Sequence, residues 1–263
     1  MAETLIVVPC FNEAERLRLE AFSAHLERDP ETDFILVNDG SQDQTLSLIE
    51  SLAAENPQRV TVIDQKPNVG KAEAVRLGLQ QAFDLGCRHV GYFDADLATP
   101  LDEILPMRRI LEQQAEIEMV FGARIQLMGR RIERSRVRHY LGRVFATIAS
   151  EILQLSIYDT QCGAKLFRNN QTTRTLFSEP FKSQWIFDVE ILARRIALTR
   201  FYGLPDAKDI VYEMPLKTWI DVEGSKVGPS DFLRASLALN RVRRRYLRPT
   251  SAPWPTSRPT ETE

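Results

Sequence analysis

The chain has 263 residues, 43% hydrophobic and 27% charged, and its 34 basic and 36 acidic side chains give a formal charge of −2. That length suffices for one large α/β domain with ample core. The near-neutral balance excludes a global field directed at nucleic acid. Three cysteines (Cys10, Cys87 and Cys162) lack CxxC spacing and read as reduced, mostly buried thiols of a cytosolic protein. No apolar stretch approaches the roughly 18 residues of a membrane span, and the N-terminus enters "LIVVPC" without signal-peptide architecture, so a soluble chain is expected.

In chain order, β-branched apolar runs stand at 5–8 (LIVV), 34–37 (FILV), 60–63 (VTVI), 90–93 (VGYF) and 119–121 (MVF). Segments of helical periodicity separate them. Asp43 precedes "QTLSLIESLAAE" as a plausible N-cap. In 70–86, Val75, Leu79, Ala82 and Phe83 form one apolar stripe. Strands without apolar/polar alternation, alternating with helices, predict a mostly parallel sheet covered on both faces. Ligands of such sheets bind at the carboxyl ends of the strands.

The residues after each run are therefore the expected site. "PCFNEAER" follows the first strand, "NDGSQDQT" the second, "DQKPNVGKAEAVRLG" the third and "DADLATP" the fourth, which brings Glu13, Asp39, Lys71, Asp94 and Asp96 to one rim. Each has a plain reading alone: Asp39-Gly40 is a common turn pair, and Glu13 suits a helix's first turn. Their convergence predicts a site. No GxGxxG follows the first strand and no GxxxxGK[ST] occurs, which disfavours nicotinamide and P-loop chemistry. Two aspartates directly after a buried strand suit Mg²⁺ or Mn²⁺, which accept oxygen ligands and keep substrate phosphates in their shell. Such an ion would stabilise a departing diphosphate.

In order and spacing, "VVPCFNEAER", "VNDGSQDQT", "NVGKAEAVRLG" and "YFDADLATP" resemble the donor half of the inverting GT-A-fold glycosyltransferases of family 2. "YDTQCGAKLF", "QWIFDVEIL" and "VEGSKV" resemble its dolichyl-phosphate β-glucosyltransferase branch, relatives of the polyprenyl-phosphate glycosyltransferases. The resemblance implies a single GT-A domain over 1–248, with a donor half to about 124 and an acceptor half from 125 to about 230. It implies that Pro9, Asn12, Glu13 and Asp39 hold base and ribose, with Lys71 near the base. Asp94 and Asp96 would hold metal and diphosphate, and Arg124 and Lys226 would lie near the phosphates or acceptor. Relatives often carry a third polar metal ligand two places past the second aspartate; here that place is Ala98. The implied reaction moves a hexose, glucose first, from a UDP-sugar to a polyprenyl phosphate at the cytoplasmic face of a membrane. The alternatives are a soluble hydroxyl acceptor, or a non-catalytic nucleotide-sugar-binding or membrane-associated protein.

On the acceptor side, a hydroxyl would need a carboxylate base. A phosphate, with a second pKa near 6, would not. Asp188 interrupts the apolar "WIF-V-IL" and stands where the family places its base. Asp159 is a second candidate, with a turn cap as its plain reading. Trp185 fits either stacking on the sugar or packing in the core. Residues 124–143 hold seven arginines, Arg136 among them, against one acid. They read either as a solvated helix face or as a basic lip for anionic headgroups. A second arginine cluster at 241–248 follows the helical "SDFLRASLALN", and the Pro/Ser/Thr-rich tail 249–263 is expected to be disordered.

Overall fold

Each apolar run becomes a strand: β1 (Thr4–Cys10), β2 (Thr32–Asp39), β3 (Val60–Gln65), β4 (His89–Phe93) and β5 (Met119–Ala123). The computed structural model describes residues 2–133, 136–222, 229–248, 254–256 and 258–259, with the side chains of 136–139 and 229–233 excepted. Helices α1 (Leu19–Arg28), α2 (Thr45–Glu55), α3 (Lys71–Asp84) and α4 (Ile104–Gln113) separate the five strands. After them come β6 (Arg131–Glu133), α5 (Arg136–Leu153), β7 (Ala164–Arg168), α6 (Gln171–Leu176) and α7 (Phe187–Tyr202). The remainder is α8 (Ala207–Ile210), β8 (Val211–Pro215), β9 (Thr218–Ile220) and α9 (Pro229–Val242), which runs into a π-helical turn at Arg243–Leu247.

The main sheet has the order β3-β2-β1-β4-β7-β5-β8, and β6 pairs with β9 in a second, small sheet. Strands β1 to β4 pair in parallel, as do β5 and β8. The apolar runs do not alternate because both sheet faces are covered. Val7, Ile35, Val37 and Tyr92 pack toward α3 and α7. Ile6, Val8, Leu36 and Phe93 pack toward α1, α2 and α4. The expected stripe of α3 is buried throughout. Asp43 lies two residues ahead of α2, where Oδ1 accepts from the Thr45 N–H at 3.0 Å and Oδ2 ties down the Ala14 N–H.

Strand β7 was not legible in the sequence. It is the one strand of the main sheet antiparallel to its neighbours, inserted between β4 and β5, and Lys165 and Arg168 break its apolar run. Lys165 nevertheless points inward and is wholly buried. The β4–β7 contact requires Gly91: a Cβ there would stand 2.3 Å from the Lys165 carbonyl oxygen.

The expected disorder of 249–263 does not extend to Trp254, which is fully buried in the core behind α7. Its ring lies 5.5 Å from that of Tyr246 and 5.0 Å from the Arg194 guanidinium, and the Tyr202 hydroxyl donates to the Pro255 carbonyl. Composition averages conceal a single aromatic anchor. Trp254→Ala is expected to cost about 3–5 kcal/mol, the usual range for emptying a packed aromatic site. A urea unfolding midpoint equal to that of the parent would show that the tail contributes nothing.

Candidate active site

The carboxyl ends of β1, β2 and β4 gather as the sequence implied, but several of their residues hold the loops together. Asn12, at a positive φ of 51°, accepts from the Gln42 N–H at 2.8 Å, and its own N–H donates to Ser41. Asp39 is buried and accepts from the backbone of Val69 at 2.7 Å and of Gly70 at 2.8 Å. It thereby fixes the turn that starts α3. Pro9 is half-buried within β1. Glu13 takes a bond from Arg16 at 2.7 Å, while its Oε2 is buried without a hydrogen-bond partner among the described residues.

Beside this rim opens a cavity of about 550 Å³. Lys71, Asp94, Asp96, Arg124, Asp159 and Asp188 all line it, as does Trp185. Trp185 is 45% exposed there, so the core-packing reading of that residue does not hold. Lys226 lies outside the described residues. Arg136 opens α5, and its side chain is likewise outside them.

Asp94 follows β4 directly, and its N–H donates to the Gly163 carbonyl at 2.9 Å. Its carboxylate lies over Gly163, where a Cβ would come within 2.0 Å of Oδ2. Lys71 sits against this carboxylate, with Nζ 2.6 Å from Oδ1. Asp96 accepts from the Ala98 N–H at 3.0 Å. Burial raises its pKa and the neighbouring Asp94 raises it further. Burial likewise raises that of Glu13; Arg16 opposes this and Asp96 adds to it. For Lys71, burial works downward, but Asp94 and Asp188 outweigh it and raise the pKa.

These carboxylates repel one another in a partly desolvated rim, and a divalent cation would relieve that repulsion. Among the described residues no group of three or more His, Cys, Asp and Glu could hold a metal. Asp94 and Asp96 would supply two carboxylates, with the other positions left to water and ligand oxygens. This is the habit of Mg²⁺ and Mn²⁺ with phosphate substrates, and Asp94 and Asp96 fit it.

Arg124 and Arg143 line the same cavity. Asp159 grips Arg124 in a fork, with 2.6 Å from Nε to Oδ2 and 2.8 Å from Nη2 to Oδ1. It also caps its own turn by accepting from the Gln161 N–H at 3.2 Å. The turn-cap reading thus stands, and the fork on Arg124 adds an anchoring role. Arg143, in sequence only one of the seven arginines of 124–143, lies 3.7 Å from the Tyr158 ring centroid and donates to the Tyr158 carbonyl at 3.1 Å. Glu213 accepts from both the Tyr158 and Asp159 N–H groups, at 2.7 and 2.8 Å. One half-buried carboxylate thereby fixes the dipeptide that aims two guanidinium groups.

Asp188, at the start of α7, has Oδ1 2.6 Å from Lys165 Nζ, and the same oxygen accepts from the Tyr92 hydroxyl. Lys165 is the second residue missed. A signal existed: a lysine within the apolar "GAKLF" and an aspartate within the apolar "WIFDVE" are complementary interruptions, and they pair across the core.

A mostly parallel sheet whose strand ends bring a carboxylate pair and arginines into one cavity has the architecture of the GT-A-type glycosyltransferases. The family model "Glycosyl transferase family 2" matches residues 5–172, and the chain belongs to that family. Dolichyl-phosphate beta-glucosyltransferase of Homo sapiens is 32% identical over 258 residues, spanning 92% of this chain and 75% of its own. The enzyme of that name from Trichomonas vaginalis is 31% identical over 256 residues, spanning 91% and 70%. Among solved structures, glucosyl-3-phosphoglycerate synthase from Mycobacterium tuberculosis, in complex with Mn²⁺, UDP-glucose and phosphoglyceric acid, superposes with a TM-score of 0.62. That match spans 92% of this chain and 80% of the other at 17% identity, and demonstrates the shared fold.

Gly163→Ala is expected to push the Asp94 carboxylate out of place. A displacement of this kind costs on the order of 100-fold in turnover. Transfer rates within threefold of the parent would show that the close packing of Asp94 on Gly163 is dispensable.

Proposed function

We propose that this glycosyltransferase moves glucose from UDP-glucose to a polyprenyl phosphate of the dolichyl type, with inversion, aided by Mg²⁺ or Mn²⁺. The observation that carries the reading is the polarity of one cavity: paired carboxylates at Asp94 and Asp96, and anchored guanidinium groups at Arg124 and Arg143. The names of the relatives, similar over some nine-tenths of the chain, support the sugar and the lipid acceptor.

The division of labour follows from charge. A divalent ion bound by Asp94 and Asp96 would neutralise the departing diphosphate. Arg124 and Arg143 attract and orient the acceptor phosphate, which is largely dianionic at neutral pH. Such an acceptor is already a nucleophile, so no residue has to remove a proton. Asp188 fits this account, because its Oδ1 is already committed to Lys165 and Tyr92. Its work is to hold the cavity floor. Trp185, exposed on the same cavity, supplies an aromatic face for the sugar.

A route for a lipid chain is also present. Tyr140, Leu141, Val144 and Ile148 of α5 are exposed along one stripe, and Leu141 lines the cavity as well. Apolar surface thus continues from the site to the exterior, beside the basic stretch that contains Arg136. Among the described residues no helix is long and apolar enough to cross a membrane. Peripheral contact through α5, with arginines meeting anionic headgroups at the cytoplasmic face, is the reading we favour.

Radiolabelled UDP-glucose with Mn²⁺ and polyprenyl phosphate in detergent should yield label that partitions into organic solvent, and EDTA should abolish it. Label that remains aqueous, or that passes to a soluble sugar or phosphoglycerate instead, would overturn the lipid acceptor. Val144→Glu combined with Ile148→Glu should weaken co-sedimentation with anionic vesicles by at least ~10-fold while leaving transfer to a short-chain, detergent-dispersed acceptor intact. Unaltered co-sedimentation would remove α5 as the contact.

A further inference from the structure

Lys71 opens α3 at the point where Asp39 fixes the preceding turn through Val69 and Gly70. Its stem is thereby held at the rim, and its ammonium reaches Asp94 Oδ1 at 2.6 Å. That oxygen is buried and makes no hydrogen bond of its own among the described residues, so the ion pair is its compensation there. The carboxylate rests on Gly163 with no room even for a methyl group beneath it. One oxygen of Asp94 therefore faces two claimants: the lysine ammonium, and any divalent ion held together with Asp96. A metal–oxygen bond of about 2.0–2.2 Å on that buried oxygen competes with the ammonium for the same charge and the same approach.

We propose that Lys71 is a resident counter-ion that competes with the divalent metal for Asp94 and yields when a nucleotide diphosphate gives its ammonium a new anionic partner. The inference rests on Asp94 and Asp96 as the metal ligands, and it adds an order to their use. A lysine ammonium stays charged at neutral pH, so it leaves Asp94 by exchange of partner. Lys71 lines the cavity and can remain there when it moves. Metal and nucleotide then bind cooperatively, each strengthening the other by one and the same factor. With the ammonium removed, Glu13, Asp94 and Asp96 keep their mutual repulsion without its internal relief, and the bare protein should take the metal more readily.

The test is Mn²⁺ affinity, read from the electron paramagnetic resonance of free Mn²⁺, for the parent, Lys71→Met and Lys71→Gln, each with and without UDP. Circular dichroism and thermal unfolding establish that the variants are folded, and two neutral side chains guard against an accident of one. The parent should bind Mn²⁺ weakly alone and far more tightly with UDP. Both variants should bind Mn²⁺ alone at least ~10-fold more tightly than the parent, and the strengthening by UDP should shrink correspondingly. Neutral variants that bind Mn²⁺ alone no better than the parent would overturn the competition. Asp94→Asn separates this from failure of the metal site itself. If that variant binds Mn²⁺ with UDP as tightly as the parent does, Asp94 is not a ligand and the underlying reading falls too.

Discussion

Carboxylates taken out of water need dedicated positive or hydrogen-bonding partners, and that requirement organises the carboxyl edge of this sheet. Asp188 is matched by Lys165, Asp159 by Arg124, Asp94 by Lys71, and Glu190 by Arg194. Glu213 is satisfied by two backbone N–H groups. Asp96 and the Oε2 edge of Glu13 depart from the pattern, since burial and neighbouring acids raise both pKa values. A site assembled this way presents both signs of charge in one cavity, which suits a reaction between two phosphate-bearing molecules.

The pairs do not contribute alike. Those that are wholly buried, such as Arg194 with Glu190, yield little net stability against apolar replacements, yet breaking one partner is costly. Arg194 also donates to the carbonyls of Leu176, Glu179 and Pro180, and Glu190 accepts from the N–H groups of Lys182 and Ser183. The pair therefore fixes the strap that leads to Trp185, with Tyr246 donating to the same glutamate from the C-terminal segment. Lys71 and Asp94 sit at the other extreme. Both side chains are partly exposed, so their pair can be exchanged at a modest cost.

Much of this was legible in the sequence where a local rule and a tertiary need coincide. The five apolar runs are strands because both faces of the sheet are covered, and the acids after them reach one rim because parallel strands end on one side. Legibility failed where a residue's role depends on a distant partner. Asp39 reads in sequence as an acid that holds the nucleotide, and its bonds to Val69 and Gly70, some thirty positions away, carry no local signal. Asp159 reads as a base or a turn cap, and its clamp on Arg124 is equally invisible. Arg143 was one arginine among seven until Tyr158 gave it a fixed place. Trp254 was hidden in a tail whose average composition denotes disorder.

The antiparallel strand explains why the two halves of the chain make a single site. Strand β7 comes from the later part of the chain but lies between β4 and β5 of the earlier part. Its register sets Tyr92 against Lys165 and Phe93 against Ala164. The residues just before it, Asp159 and Gly163, must then arrive at the carboxyl end of β4, beside Asp94. A parallel strand in the same slot would deliver its following residues there and carry these to the far edge. Reversing one strand lets the segment that anchors the arginines and the segment that bears the paired carboxylates share one rim. Gly91 and Gly163 keep the close approach possible: a side chain at either would strike the Lys165 carbonyl oxygen or the Asp94 carboxylate. The chemistry thus depends on a backbone contact made by two residues that have no functional groups of their own.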